Sequence, residues 1–393
     1  MAASREKVEE FLSAKKESSK AEIADKFAVL EELYSKKLYH PLSDKIFEFV
    51  SDADFEKEQN LIELYENFIY EFRLRMKPLC LAEIAVKISK EYDSGAEFEK
   101  AVKFLEEIAD CVKKDERAKI RALTGVCELK LAHKDSKDRC LHIRELRDDL
   151  EEIEQALDKF AGVTAVHAPF YKASSTYLRE IGDYAAYYKK ALRYLGCEKL
   201  ENLGEKEKQL QAVCLGIAAL LGKNVYNFGE LLAHPILQVL NTSGDKWLVD
   251  LLYAFNSGDL EKFHAQEAKW ASWDDLKRNR KELEFKIRLL CVMELAFTRP
   301  VGQRVVEFSE IARRAKIDIS QVEDLVMKCL SRDLIRGKID QTNGLVRVEW
   351  VQPRVLDRQQ VKSMAGRIAD WAKDVTAVGN LVEGNAKEIL IRG

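Results

Sequence analysis

Residues 304–353 read RVVEFSEIARRAKIDISQVEDLVMKCLSRDLIRGKIDQTNGLVRVEWVQP, and this stretch decides the fold. Arg304–Phe308 is short and β-prone. Ser309–Ala315 makes a brief helix carrying Ile311, Ala312 and Ala315 on one side. Ser320, with Glu323 three residues on, reads as a capping box: the hydroxyl accepts from an unpaired amide and the carboxylate reaches back. Val322, Leu325, Val326, Cys329 and Leu330 form the buried stripe of that second helix. Leu334–Asp340 reads as a strand with Ile335 and Ile339 on one face. Asn343-Gly344 is a strong hairpin turn, and Val346, Val348 and Trp350 alternate on the return strand before Pro353 ends it. Strand, helix, helix and hairpin make a winged helix, placed at 301–353.

Upstream, over 26–300, the apolar period is helical. Leu61, Leu64, Tyr65, Phe68, Ile69 and Phe72 line one helix face. Two shorter helices join near His40–Pro41, and further helical stretches run over 81–92, 98–112, 118–130 and 142–160. Asp183 caps a helix at 184–195, with Gly196 as its stop. Asn256-Ser257-Gly258-Asp259 connects helices at 247–255 and 260–270, supplying a glycine to end one and an aspartate to cap the next. Only 18 glycines and 6 prolines are spread over 393 residues, and 33% of residues are charged, so long helices with solvated faces are expected. Antiparallel pairs with short connectors describe an α-solenoid of irregular period; the alternative is one globular helical domain. Residues 1–25 are polar and are expected to be a flexible terminus. The whole chain is thus expected to be dominated by α structure, with one small antiparallel sheet.

Downstream, 354–393 carries Val361, Met364, Ile368, Trp371, Val375, Val378, Val382, Asn385 and Ile389, spaced alternately by three and four. An apolar residue every 3.5 positions is a seam that packs against other helices. Gly366, Gly379 and Gly384 each weaken a lone helix by about 1 kcal/mol relative to alanine, so the helix needs partners. It either folds back on its own solenoid or enters an intermolecular bundle through the eight apolar seam positions.

Tests for chemistry come back negative. The six histidines form no HxH or HExxH pattern. The eight cysteines include no CxxC pair and read as buried reduced thiols. The stretch from Gly216 to Asn224 superficially resembles a phosphate loop. It has one residue too many between the glycines, and Asn224 stands where a Ser or Thr would hold magnesium, so it reads as a buried helix. No GxSxG elbow is present. No catalytic residue, cofactor or metal is assigned. The formal net charge of −3 makes tight phosphate-backbone binding a poor fit. The second helix of the winged module presents Glu323 and Asp324 where a DNA reader needs cations, and the hairpin tip Asp340-Gln341-Thr342-Asn343 lacks them too. A protein-binding winged helix fits better, offering its hairpin edge (Ile335, Lys338, Val346, Val348) by β-augmentation. No stretch is apolar enough to span a bilayer, and the first residues lack the apolar core of a signal peptide; an intracellular protein is expected.

Helical pairs feeding a winged helix are the layout of PCI domains, the scaffold modules of the proteasome lid, the COP9 signalosome and translation initiation factor 3. LYENFIYEF (64–72), YYKKALRYLGC (187–197), YNFGELLAHPIL (226–237), LLYAFNSGDLEKF (251–263), FTRP (297–300) and WVQPRVLD (350–357) sharpen the match. Together they resemble the 26S proteasome non-ATPase regulatory subunit 13 family, from Glu32 to Ile389. The resemblance implies a non-catalytic subunit of the regulatory-particle lid that supports ubiquitin-dependent degradation in cytoplasm and nucleus. It implies lateral contact with other PCI subunits through winged helices, and a C-terminal helical bundle that includes the MPN-domain pair. A signalosome or initiation-factor scaffold is the alternative within the class, and a winged-helix nucleic-acid binder the alternative outside it.

Overall fold

The computed structural model describes the chain apart from residues 1–7, 9, 17–20, 53–60, 95–96, 135–139, 243, 300–303, 355–357 and 392–393. Side chains at 21–22, 93–94, 242, 358–360 and 385–391 are likewise outside the described set. The chain divides into two compact units, Met1–Leu203 and Gly204–Gly393. The boundary thus falls inside the stretch read as one solenoid. The expected boundary at 300–301 lies outside the described residues.

The first unit is a succession of helices: α1 (Ala21–Ser35), α2 (Tyr39–Val50), an irregular α3 spanning 61–72, α4 (Pro78–Ser94), α5 (Phe98–Cys111), α6 (Glu116–Ala132), α7 (Ile143–Leu157), α8 (His167–Ile181) and α9 (Tyr184–Cys197). Short connectors force sequential neighbours to pack, as in α4 with α5 and α6, and α8 with α9. Phe27, Leu42, Ile46, Phe68, Leu81 and Leu105 join one core; Leu146, Leu150, Ile153 and Phe170 join another. Arg121 on α6 is buried yet ion-paired with Glu83 of α4 at 3.0 Å and Glu128 at 3.2 Å, which keeps a desolvated charge matched.

Several local expectations change. The polar N-terminus is not loose where it is described: residues 10–16 are helical, α1 begins at Ala21, and Val8, Leu12 and Ile23 are buried in the first core. His40 and Pro41 lie in the first turn of α2, where proline needs no amide donor. Asp183 caps α9 as expected, accepting from Ala185 and Ala186 at 3.1 Å. Gly196 does not stop that helix, which continues to Cys197; the left-handed cap is Gly182, at the end of α8.

The second unit contains α10 (Glu205–Leu221), α11 (Lys246–Ser257), α12 (Arg280–Phe297), β1 (Val305–Glu307), α13 (Phe308–Ala315), α14 (Ile319–Ser331), β2 (Ile335–Asp340), β3 (Leu345–Val351) and α15 (Arg358–Ile391), with shorter helices between α10 and α12. Gly216 lies within α10, so the apparent phosphate loop is a buried helix ending at Leu221. Gly258 adopts φ 63° at the end of α11, and a Cβ there would sit 2.6 Å from the Cα of Cys291 on α12. Only glycine allows both that conformation and that approach. Asp259 then caps the next helix through Glu261 and Lys262.

The long α12 carries the winged helix, packing against α13, α14, β1 and β3. The sheet is antiparallel in the order β1-β3-β2, so β2 is an edge strand. A register shift at Arg336/Gly337 bends it; a Cβ on Gly337 would meet the Arg347 carbonyl oxygen at 2.1 Å. The expected capping box is absent. Helix α14 starts at Ile319, which puts Ser320 inside the first turn, and Glu323 accepts instead from the Gln341 side chain of the hairpin at 3.0 Å.

Lys286 on α12 is buried, and its ammonium donates to the carbonyls of Ala219 (2.7 Å), Leu220 (3.0 Å) and Gly222 (2.9 Å) at the end of α10. Three N–H groups meet two helix-end carbonyls and that of the capping Gly222, which also accepts from the Val225 amide at 3.4 Å. Burial, with Arg332 adding repulsion, pushes its pKa down to about 7.

Candidate partner interface

Helix α15 has 34 residues, about 50 Å at 1.5 Å per residue. Every described side chain from 361 to 384 is exposed. Val361, Met364, Ile368, Trp371, Val375, Val378 and Val382 are 52–68% exposed, although their spacing places them on one seam. Ile389, the last expected seam residue, lies outside the described side chains. Leu381, at 66%, extends the apolar strip beside Val382. It occupies the i+3 position from Val378, and counting i+3 as well as i+4 neighbours along the seam would have included it. A Cβ on Gly366, Gly379 or Gly384 would meet nothing within 4 Å, so none of these glycines is required by a close approach among the described residues.

Arg354 anchors the segment that leads into α15. Its guanidinium is buried, donating to the Glu294 carboxylate on α12 and to the Asn256 carbonyl at the end of α11; the Asn256 Oδ1 lies at 3.1 Å. Charge-assisted and forked, this is a strong arrangement. Sequence reading missed it, because the partners lie 60 and 98 residues away.

The winged-helix hairpin places its predicted residues differently. Ile335, Val346 and Val348 are all buried, at 0%, 1% and 5% exposure. Their side chains face the module's own core, so a strand added at the hairpin edge would meet backbone there and not these three side chains. Strand alternation selects the apolar face, and in a small sheet that face is the inward one. Lys338 is exposed. So is the edge of β2 as the sheet order leaves it. On the outer face Arg336 clasps Asp333 through both guanidinium and carboxylate, at 2.8 and 3.0 Å, and lies 4.5 Å over the Trp350 ring. That pair holds the Asp333 carboxyl below its usual range, and the Asn343 hydrogen bonds do the same for Asp340.

The outward positions of α14 include Gln321, Asp324, Met327 and Lys328. A helix with a carboxylate at its centre and few cations suits a protein surface better than a phosphate backbone. Among the described residues no group of three or more His, Cys, Asp and Glu is disposed to hold a metal. His133 and His142 approach to 3.4 Å and stack with Phe98, a pairing the sequence did not suggest. All eight cysteines are free thiols. Burial pushes Cys127 and Cys329 up to about 12 and Cys291 to about 11, which keeps them protonated and unreactive. Cys111, by contrast, is exposed. No helix among the described residues is long and apolar enough to cross a membrane.

The family model for PSD13 N-terminal repeats matches residues 26–252, and the PCI domain model matches 260–350. The chain belongs to the family of 26S proteasome non-ATPase regulatory subunit 13. The family's repeats cover the first unit from residue 26 and the opening helices of the second, and its PCI part covers α12 and the winged helix. The chain is 37% identical over 379 residues to the Arabidopsis thaliana subunit 13 homolog B, covering 94% of this chain and 96% of that one. It is 34% identical over 377 residues to the Dictyostelium discoideum subunit 13, covering 94% and 95%. Likeness to the wider PCI class is partial: subunit 7 of the Drosophila melanogaster COP9 signalosome matches 43% of this chain at 24% identity.

Proposed function

We propose that the chain is a structural, non-catalytic subunit of the lid of the 26S proteasome regulatory particle. Its contribution to ubiquitin-dependent degradation is geometric. The helical repeats set reach, the β2 edge and Lys338 set lateral register against neighbouring PCI subunits, and α15 locks assembly by entering a helical bundle with those subunits and an MPN-domain pair. A hetero-oligomer working in cytoplasm and nucleus follows from that reading. The observation that carries it is the exposed apolar seam of α15, in a chain matched to the subunit 13 family over 94% of its length. Eight large apolar side chains along one exposed helix call for a partner surface. A signalosome or initiation-factor scaffold is disfavoured because the matches to those complexes cover less than half of the chain.

The test is the native mass of the tagged full-length protein from its own cells, with the co-purifying chains identified. Recovery in a particle above a megadalton, together with ATPases and an MPN-type deubiquitinase, is expected. A free monomer of 45.1 kDa without stoichiometric partners would refute the reading.

A further inference from the structure

A different surface lies in the first unit, where the helix over 61–72 and the turn after it lose regularity. Tyr65–Ile69 is π-helical and Arg73–Arg75 is a 3-10 turn. Such departures from α geometry recur at functional positions. Here they set Arg73 and Arg75 on either side of Leu74, which is 76% exposed. The Arg73 guanidinium lies 3.8 Å from the centre of the Tyr70 ring, itself more than half exposed. Arg75 lies 5.2 Å over the Tyr39 ring and donates to the Tyr39 hydroxyl at 3.0 Å. Tyr39 stacks on buried Phe72 with centroids 5.9 Å apart, which ties this arginine to the core. Exposed Leu38 adjoins Tyr39.

Nearby lysines are neutralised within the chain: Lys36 pairs with Glu32, and Lys77 with Asp44 at 2.6 Å. Among the described residues, neither Arg73 nor Arg75 has a carboxylate within ion-pair distance. Arg73 also hydrogen-bonds the Tyr70 and Tyr65 hydroxyls, so tyrosine contacts order both guanidiniums while leaving their charge unmatched by a carboxylate. Ordered arginines beside an exposed tyrosine have the composition of an interface hot spot, and the exposed leucine adds apolar area.

We propose that this face docks an acidic segment of a protein partner, two carboxylates flanking an aliphatic side chain. The carboxylates meet Arg73 and Arg75, and the aliphatic group covers Leu74 and the edge of Tyr70. Charge complementarity selects this occupant. The proposal uses only the first unit's own surface and does not depend on the lid reading.

The probe is a fluorescein-labelled peptide with Asp and Glu on both sides of Leu, measured by fluorescence anisotropy against the full chain. Counterparts carry Lys in place of the acids, or Ala in place of Leu. Saturable binding of the acidic peptide is expected, weakening with salt. Arg73→Glu with Arg75→Glu should reduce affinity by about tenfold or more, since two charge-assisted contacts become repulsive. Leu74→Ala should cost less and leave the salt dependence unchanged. Reversal of the exposed Lys103 and Lys114 elsewhere on the unit should change nothing. If the double Glu variant loses its helical circular dichroism, Arg73→Gln with Arg75→Gln takes its place. The proposal is overturned if the wild-type chain does not bind the acidic peptide, if the arginine variants bind it as tightly, or if the Lys peptide binds equally well.

Discussion

Trp371→Glu separates a helix made for a partner from one that belongs to the chain's own core. Trp371 is 68% exposed, so the free chain has little to lose. A substitution there should stay within about 0.5 kcal/mol, and glutamate is a slightly better helix former than tryptophan. In a bundle the sums differ. A tryptophan side chain offers about 200 Å², of which roughly 130 Å² remains to be buried. At about 25 cal/mol per Å² that is about 3 kcal/mol of lost burial. Placing a carboxylate in the dry seam adds several kcal/mol more. A combined penalty of about 5 kcal/mol weakens association by over about a thousandfold. The assay is incorporation of the tagged variant into high-mass complexes beside the untagged native chain, paired with a thermal melt of the purified protein. The melt should move by about 1 °C or less while incorporation is lost. Wild-type incorporation would mean that the seam stays wet. A fall of many degrees would mean that α15 packs on its own chain. Either result sinks the reasoning.

Three further outcomes follow from the second unit. Lys286→Met takes the ammonium donor from the carbonyls of Ala219, Leu220 and Gly222, for a net loss of about 2–3 kcal/mol in urea unfolding. Between about 7 and the ordinary 10.5 of a lysine, the native chain holds fewer protons at Lys286 than the unfolded chain. Unfolding free energy should therefore rise with pH across that window in the wild type relative to the variant, and parallel curves would contradict it. Gly258→Ala forces a Cβ against the α12 backbone at a positive φ and should destabilise by about 2–4 kcal/mol; a loss under about 1 kcal/mol would show that α11 and α12 can separate. Gly379→Ala meets open space, so it should strengthen α15 by about 1 kcal/mol, seen as slower hydrogen exchange confined to that helix.

What was legible in the sequence was periodic. The alternation through Val346 and Val348, the turn at Asn343-Gly344 and the 3.5-residue seam of α15 are local patterns, and each sits where it was read. Reading failed where one signal serves two purposes. Apolar residues on a strand mark a core face and an interface alike, so Ile335, Val346 and Val348 could be placed on the hairpin but not shown to point into its core. It failed again at a helix start: Ser320 has the right neighbours, but α14 starts one residue earlier. Lys286 and Arg354 could not be read at all. A lysine in a charged helix looks solvated until the end of α10, more than sixty residues upstream, is brought against it. At the N-terminus, Val8, Phe11 and Leu12 form a single i, i+3, i+4 cluster in polar sequence, too short a pattern to announce burial.

The Arg354 anchor also decides where mechanical load on the C-terminal helix is felt. Among the described residues, the segment leaving β3 is tied back beside the sheet by one backbone bond, from Gln352 to the Leu334 carbonyl at 2.9 Å. Without the arginine, tension on α15 would enter the central strand β3 at its end and load its rungs with β2 first, from Ile335–Val351 onward. With it, tension enters α12 through Glu294 and α11 through Asn256 before it reaches the sheet. The C-terminal helix can be tugged by whatever holds it while the small sheet beside it keeps its register.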